Sequence, residues 1–204
     1  PIQVAHGHVA DLIEKGVDYI FVPNFLNTEP RYLHIQSHVC PWGQTLPWIL
    51  RAAPAFERHR ERFLSPTIQF RYGKEEVASV LVPLVQRFGV SRRRALAALD
   101  AAYDAQAAFT AALNAHGREA LRRLHDAGEQ GIVLFGRPYN VQDDGLNLGV
   151  AAKLRRFYGV NVIPLDLLPV EQVDILEIND NMYWSYGCRI LSAAKLLRSY
   201  PNLH

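Results

Sequence analysis

Cysteine is nearly absent from this chain: two occur in 204 residues, at positions 40 and 188. A pair so far apart builds no disulfide framework, and such sparse usage fits a reducing, cytoplasmic setting. Also missing is any apolar run of the roughly 20 residues that a membrane helix needs. No basic-then-apolar leader stands at the start, so a membrane is not expected as a partner. Charge of one sign is not in excess, since 22 basic and 20 acidic residues leave a net +2. That removes the electrostatic case for a nucleic acid. The arginine runs RHRER (58–62) and SRRRA (91–95) read as solvated helix faces. Neither a Gly-Lys-Ser/Thr loop nor a GxGxxG fingerprint is present. Methionine occurs once, at Met182, and the chain opens PIQVAHGHV. It therefore reads as a processed chain or an excised piece of a longer protein.

What is there is a core. Apolar residues make up 49% of the chain, enough for packed lobes rather than disorder. VAHGHVADLIEKG (4–16) has helical apolar spacing and a glycine suited to end the helix. VDYIFVPNF then reads as a short buried strand stopped by Pro23. RYLHIQSHVC (31–40) reads as extended up to Cys40, since Pro41 disfavours helix at the residue before it. A helix is expected over 43–63, with Pro47 tolerable only in its first turn. TIQF (67–70) suits a strand. Residues 74–88 suit a helix that Pro83 should end or kink. Ser91 is a plausible cap for the alanine-rich helix that follows. Its Leu96, Leu99, Tyr103, Gln106, Thr110 and Leu113 keep three- and four-residue steps, but polar Gln106 and Thr110 weaken a coiled coil. A packed hairpin or a linker helix fits better, with Gly117 marking a kink.

From residue 129 the texture changes. GIVLFG (131–136) is a central-strand run, RPYNVQDDGLN a loop by composition, LGVAAKLRRFYG a helix, and VNVIPLD (160–166) a second strand. The closing helix should bury Ile190, Leu191, Ala194 and Leu197, with Tyr186 near that face. Strand, loop, helix and strand imply a parallel sheet. The expected fold is α/β, with parallel-sheet lobes of the doubly wound, Rossmann or flavodoxin-like kind and a helical segment between them. The divisions expected are 1–72, part of a first lobe; 73–128, helical; and 129–204, a second lobe incomplete at its C-terminus.

In such sheets ligands collect at strand carboxyl ends. The GRPYN loop there brings Arg137, with its fixed charge, Tyr139, with a flat face and a hydroxyl, and Asn140. These three are the candidate substrate-binding residues, against an ordinary polar loop with a structural arginine. Gly145, Asn147 and Gly149 open a helix whose free N–H groups suit an anion. His34, His38 and Cys40 have loose metal spacing and would share a face if extended, but no fourth zinc ligand lies near. Cys40 stays open between a buried inert thiol, a Cys–His nucleophile and a metal ligand. Cys188 reads as a core position. No residue is singled out as catalytic.

AHGHVADLIEKGVDYIFVPNF, VCPWGQTLPWIL, VLFGRPYNVQDDGLNLGVAAKL and NDNMYWSYGCRILSAAKLLRSYPNL occur in that order. Together they resemble a domain of unknown function from large bacterial activators of 2-hydroxyglutaryl-CoA dehydratase, the CoA-substrate-specific enzyme activases. It is similar to the D component of 2-hydroxyacyl-CoA dehydratases and to double-cubane cluster proteins. The resemblance implies an iron–sulfur protein that receives electrons from an ATP-dependent activase domain or protein and passes them on, with an acyl-CoA or other small molecule as substrate. It makes Cys40, in the family's Cys-Pro motif, a cluster-ligand candidate, and does not carry that status to Cys188. The family's next cysteine motif would follow YPNLH, so the cluster is expected in the complete protein and not in this fragment. The competing expectation is a cluster-free interaction or scaffold domain.

Overall fold

In the computed structural model, which describes residues 2–204, helix α1 (Ile2–Glu14) begins a first unit made of residues up to Asp100 together with Asn181–Tyr186. Val9 of α1 packs with Ile20, Leu50, Phe56 and Phe63 to form this unit's apolar core. Each such buried side chain contributes roughly 1.5–3 kcal/mol relative to exposure. Gly16, in the left-handed region, turns the chain into β1 (Ile20–Phe21). Next come β2 (Asn24–Asn27), α2 (Pro41–Ala52), a 3-10 stretch (Pro54–Arg62), β3 (Phe63–Leu64), β4 (Thr67–Gln69) and α3 (Lys74–Gln86). β1 pairs in parallel with β3, and β2 with β4. The two ladders continue one another: Val22 N donates to Leu64 O (2.9 Å) and Asn24 N to Pro66 O (2.8 Å). The break falls at Pro23, which has no N–H to give a ladder.

Pro47 departs from expectation, and Pro83 stands three residues before its helix ends. Pro47 lies well inside α2 and is fully buried. At Pro47, burial in the core offsets the lost backbone bond. Only the first part of the 43–63 expectation is α-helical; from Pro54 the chain tightens into the 3-10 stretch.

Helix α4 (Arg92–Ala127) runs 36 residues, with Ser91 Oγ accepting from Arg94 N at its start. Its first turns belong to the first unit and its remainder to the second, which holds Ala101–Asp180 and Gly187–His204. Gly117 lies inside this unbroken helix. It is buried, and a Cβ there would overlap the carbonyl oxygen of Leu167. Only glycine lets the helix approach that backbone so closely.

The second unit continues with β5 (Gly131–Leu134), α5 (Pro138–Gln142), α6 (Asp144–Asn147), α7 (Val150–Tyr158), β6 (Asn161–Pro164) and, from Gly187 on, α8 (Ser185–Leu197). β5 and β6 pair in parallel from Gly131↔Asn161 to Leu134↔Pro164, as the strand–helix–strand pattern predicts. On the other side of β5 the terminal residues lie alongside: Val133 N donates to His204 O (2.8 Å) and His204 N to Gly131 O (2.9 Å). The parallel bridge there joins Gly131 to Leu203. The buried face of α8 is Gly187, Cys188, Ser192 and Ala193. Cys188 is in the core as expected, but the apolar stripe is displaced from Ile190, Leu191 and Leu197, which are only half-buried, and Ala194 is exposed. The protein is thus mixed α/β, helix-rich, with short parallel strand pairs. No helix among the described residues is long and apolar enough to cross a membrane.

Candidate functional site

Two strand ends carry the residues singled out by sequence. In the first unit, Thr28 N donates to Ser37 O (2.9 Å) and Ser37 Oγ returns a bond to Thr28 O (2.6 Å), closing the loop after β2. Val39 N then donates to Leu26 O (3.1 Å), while His38 N donates to Tyr183 O (2.8 Å) and His38 O accepts from Ser185 N (2.9 Å). The short piece 37–39 is therefore held between β2 and residues 183–185. Cys40 follows at once. It is half-buried and stands at the cap position of α2, with Pro41 in the first turn, where a missing N–H costs nothing.

The extended reading of 31–40 holds only for its last residues. Before them Ile35 N donates back to Tyr32 O (3.1 Å), and the Arg71 guanidinium donates to Leu33 O (2.6 Å) and Ile35 O (2.5 Å). The even spacing of His34, His38 and Cys40 therefore does not put them on one strand face. His34 is exposed beside the Tyr32 ring, and the half-buried His38 sits edge-on to Tyr183. Among the described residues, no three His, Cys, Asp or Glu side chains gather as a metal-holding group.

Sequence reasoning passed over the amides of this strand end. Asn24, Asn27 and Ser37 are only 3–5% exposed. Asn27 Oδ1 accepts from Arg71 N (2.9 Å), and its Nδ2 donates to Gln69 Oε1 (3.4 Å). Asn24 Nδ2 donates to Thr67 Oγ1 (3.4 Å). The available signal was polar asparagine at two positions inside the apolar run IFVPNFLN, since amides are buried only where partners meet them.

The second strand end follows β5. Gly136 lets the chain fold back tightly, because a Cβ there would lie 2.7 Å from Val141 Cγ2. Arg137 caps α5, its carbonyl accepting from Asn140 N (2.8 Å) and Val141 N (3.0 Å). The expected loop 137–147 is instead two short helices. Proline at the first position of α5 and Asp143 at the cap of α6, accepting from Leu146 N (2.9 Å), account for both starts. Tyr139 and Asn140, in the first turn of α5, are exposed, and Arg137, at its cap, is half-buried just past the strand.

Two N–H groups of the anion site expected at α7 are taken from within. Asn147 Oδ1 accepts from Gly149 N (2.8 Å) and Val150 N (3.3 Å), while its Nδ2 donates to Val141 O (2.6 Å). Leu148, at φ +58°, is the one non-glycine residue in the left-handed region among those described.

These features define a helix-rich α/β protein in which Arg137, Tyr139 and Asn140 stand just past the parallel strand β5, and Cys40 follows a piece bridged to β2 in the antiparallel sense. The chain belongs to the family described as the CoA enzyme activase uncharacterised domain, whose model matches residues 1–168. That span takes in Cys40 and the Arg137–Asn140 loop, and ends before Cys188. No curated protein and no solved structure matches the chain.

Proposed function

We propose that the domain serves a CoA-substrate enzyme activation system as a component of its electron-transfer path, with Cys40 donating one thiolate to an iron–sulfur cluster. Two cysteines, one of them buried in α8, are fewer thiolates than a cluster takes. In this reading the remaining ligands come from beyond the described residues. The family match over 1–168 carries this reading, because it includes Cys40. The geometry supports it in a second way. Cys40 stands at the amino end of a 12-residue helix, a position that favours negative charge. An ATP-dependent activase is the partner in this reading.

The finer fold assignment belongs to the same proposal. The order β6, β5, then residues 202–204 matches the start of a doubly wound sheet, in which the chain reverses direction at β5. Ligands of such sheets bind at the carboxyl end of the strand where the order reverses. Arg137, Tyr139 and Asn140 lie there, suited to an anionic group of an acyl-CoA or similar substrate.

The test is anaerobic iron and acid-labile sulfide analysis of the full-length protein. Cys40→Ala is expected to lower both; full retention would overturn the ligand assignment. A second reading, a cluster-free interaction domain, is favoured by Trp42 and Trp48 of α2, which are 63% and 51% exposed. It predicts that Trp42→Ala with Trp48→Ala abolishes association with the ATPase partner, and that no iron is found in any variant.

A further inference from the structure

The sheet of the first unit has a break that its own donors do not close. The parallel register keeps one offset, 43 residues, from Ile20↔Phe63 through Asn24↔Thr67. It therefore sets Val22 beside Ser65 and Pro23 beside Pro66. Leu64 O accepts from Val22 N, and Pro66 O accepts from Asn24 N. The same ladder would bring the N–H of residue 66 to Val22 O, and proline has none. No main-chain donor among the described residues meets Val22 O.

Partners across a ladder share a face, and so do alternate residues of one strand. Val22, Asn24, Ser65 and Thr67 therefore project to one side, around this break. Two of their oxygens, Asn24 Oδ1 and Ser65 Oγ, are buried with no hydrogen-bond partner. Asn24 is only 4% exposed, and its amide nitrogen is turned to Thr67 Oγ1 (3.4 Å). Buried polar groups of this kind are costly to leave unmet.

The groups at the break are neutral, which gives a metal ion no countercharge. Their needs match those of water. The oxygens of Val22 and Asn24 want a donor, and the Ser65 hydroxyl can give one. A single water donates twice and accepts once, the three bonds that buried waters typically make. Because water both gives and takes, it serves either orientation of the Asn24 amide.

We infer that one water molecule is bound here as part of the fold, bridging Val22 O, Asn24 Oδ1 and Ser65 Oγ. It carries the pairing past the two prolines and joins the β1–β3 and β2–β4 ladders into one sheet. The strand end that holds residues 37–39 is thereby tied to the apolar core around Ile20 and Phe63. The site does not depend on whether Cys40 holds a cluster.

The test is 17O magnetic relaxation dispersion, which counts long-lived internal waters and is blind to exchanging hydroxyl protons. Ser65→Val removes the hydroxyl and puts a methyl in its place, and is expected to lose one such water relative to the wild type. An unchanged count overturns the inference. Chemical denaturation of Ser65→Ala, Asn24→Leu and the double variant gives a second readout. Each single change should raise the unfolding equilibrium constant about tenfold. Since both remove partners of the same water, the double variant should fall well short of the product, about a hundredfold. A full hundredfold effect, the mark of two groups with no shared partner, also overturns the inference.

Discussion

The two strand ends hold their shape by opposite means. After β2 the ties are long-range: Asn24 to Thr67, Asn27 to Gln69 and Arg71, and Thr28 Oγ1 to Ser185 Oγ at 2.8 Å across 157 residues of chain. After β5 they are local, with Arg137, Asp143 and Asn147 each bonding backbone within six residues. The first region buries its polar groups and the second leaves Tyr139 and Asn140 in solvent. A strand end closed by distant partners is fixed only when the whole unit is folded. One closed by its own turn chemistry is shaped early and keeps its outward side chains available.

The sharpest break in this contrast would come at Gly117, where the second unit does depend on a distant backbone. Gly117→Ala drives a methyl into the Leu167 carbonyl oxygen, and should destabilise that unit by about 3 kcal/mol in chemical denaturation. Gly7→Ala is its control. Gly7 is also helical, but nothing lies within 4 Å of an added Cβ. That change should stabilise by about 0.5–1 kcal/mol. A neutral Gly117→Ala would show that α4 does not approach Leu167 so closely.

Next in size is a matched pair of asparagines. Asn27→Ala leaves the backbone N–H of Arg71 without its acceptor and should cost about 2 kcal/mol. Asn147→Ala uncovers the first N–H groups of α7, which water can reach, and should cost about 1 kcal/mol. If the two losses came out in the reverse order in denaturation curves, the division into buried and local closure would fail.

The smallest effect concerns Glu119. Bonds from the Arg122 guanidinium, then from Arg123, hold its carboxyl at about 2 instead of the usual 4.5. Because the folded value is the lower one, the ion pairs help the fold above about pH 4.5, and that help is lost as pH falls towards 2. Arg122→Gln should move the Glu119 midpoint upward in a carboxyl-carbon NMR titration, with little change in stability, since the pairs are solvent-reached.

The same contrast decides how much could be read from sequence. Gly16 and Gly159 end α1 and α7 as expected, Ser91 starts α4, and Arg137 falls just past a parallel strand. All of these follow from neighbours in the chain. Composition alone made 137–147 a loop, although Pro138 and Asp143 are also helix-start signals. The bend in 31–36 is not legible, because Arg71, which takes the carbonyls of Leu33 and Ile35, lies more than 30 residues away. The close approach of Gly117 to Leu167 is not legible, because its partner lies in another element. The positions of Cys40 at a helix start and of Arg137 past a strand are legible, because cysteine before proline and arginine after a strand are local patterns. Asn24 and Asn27 were not, because an amide's partners cannot be named from its own segment.

Helix α4 has a further consequence. From 101 to 112 every residue except Tyr103 is exposed, while Ala95 before that stretch and Leu121 and Leu124 after it are buried. Ordinary helices fray from their tips inward. This one is anchored near both tips and relies on alanine's propensity alone in its middle. Its amide protons should therefore exchange with solvent fastest at the centre and slowest towards the ends, and a protease that opens it would cut first among the alanines.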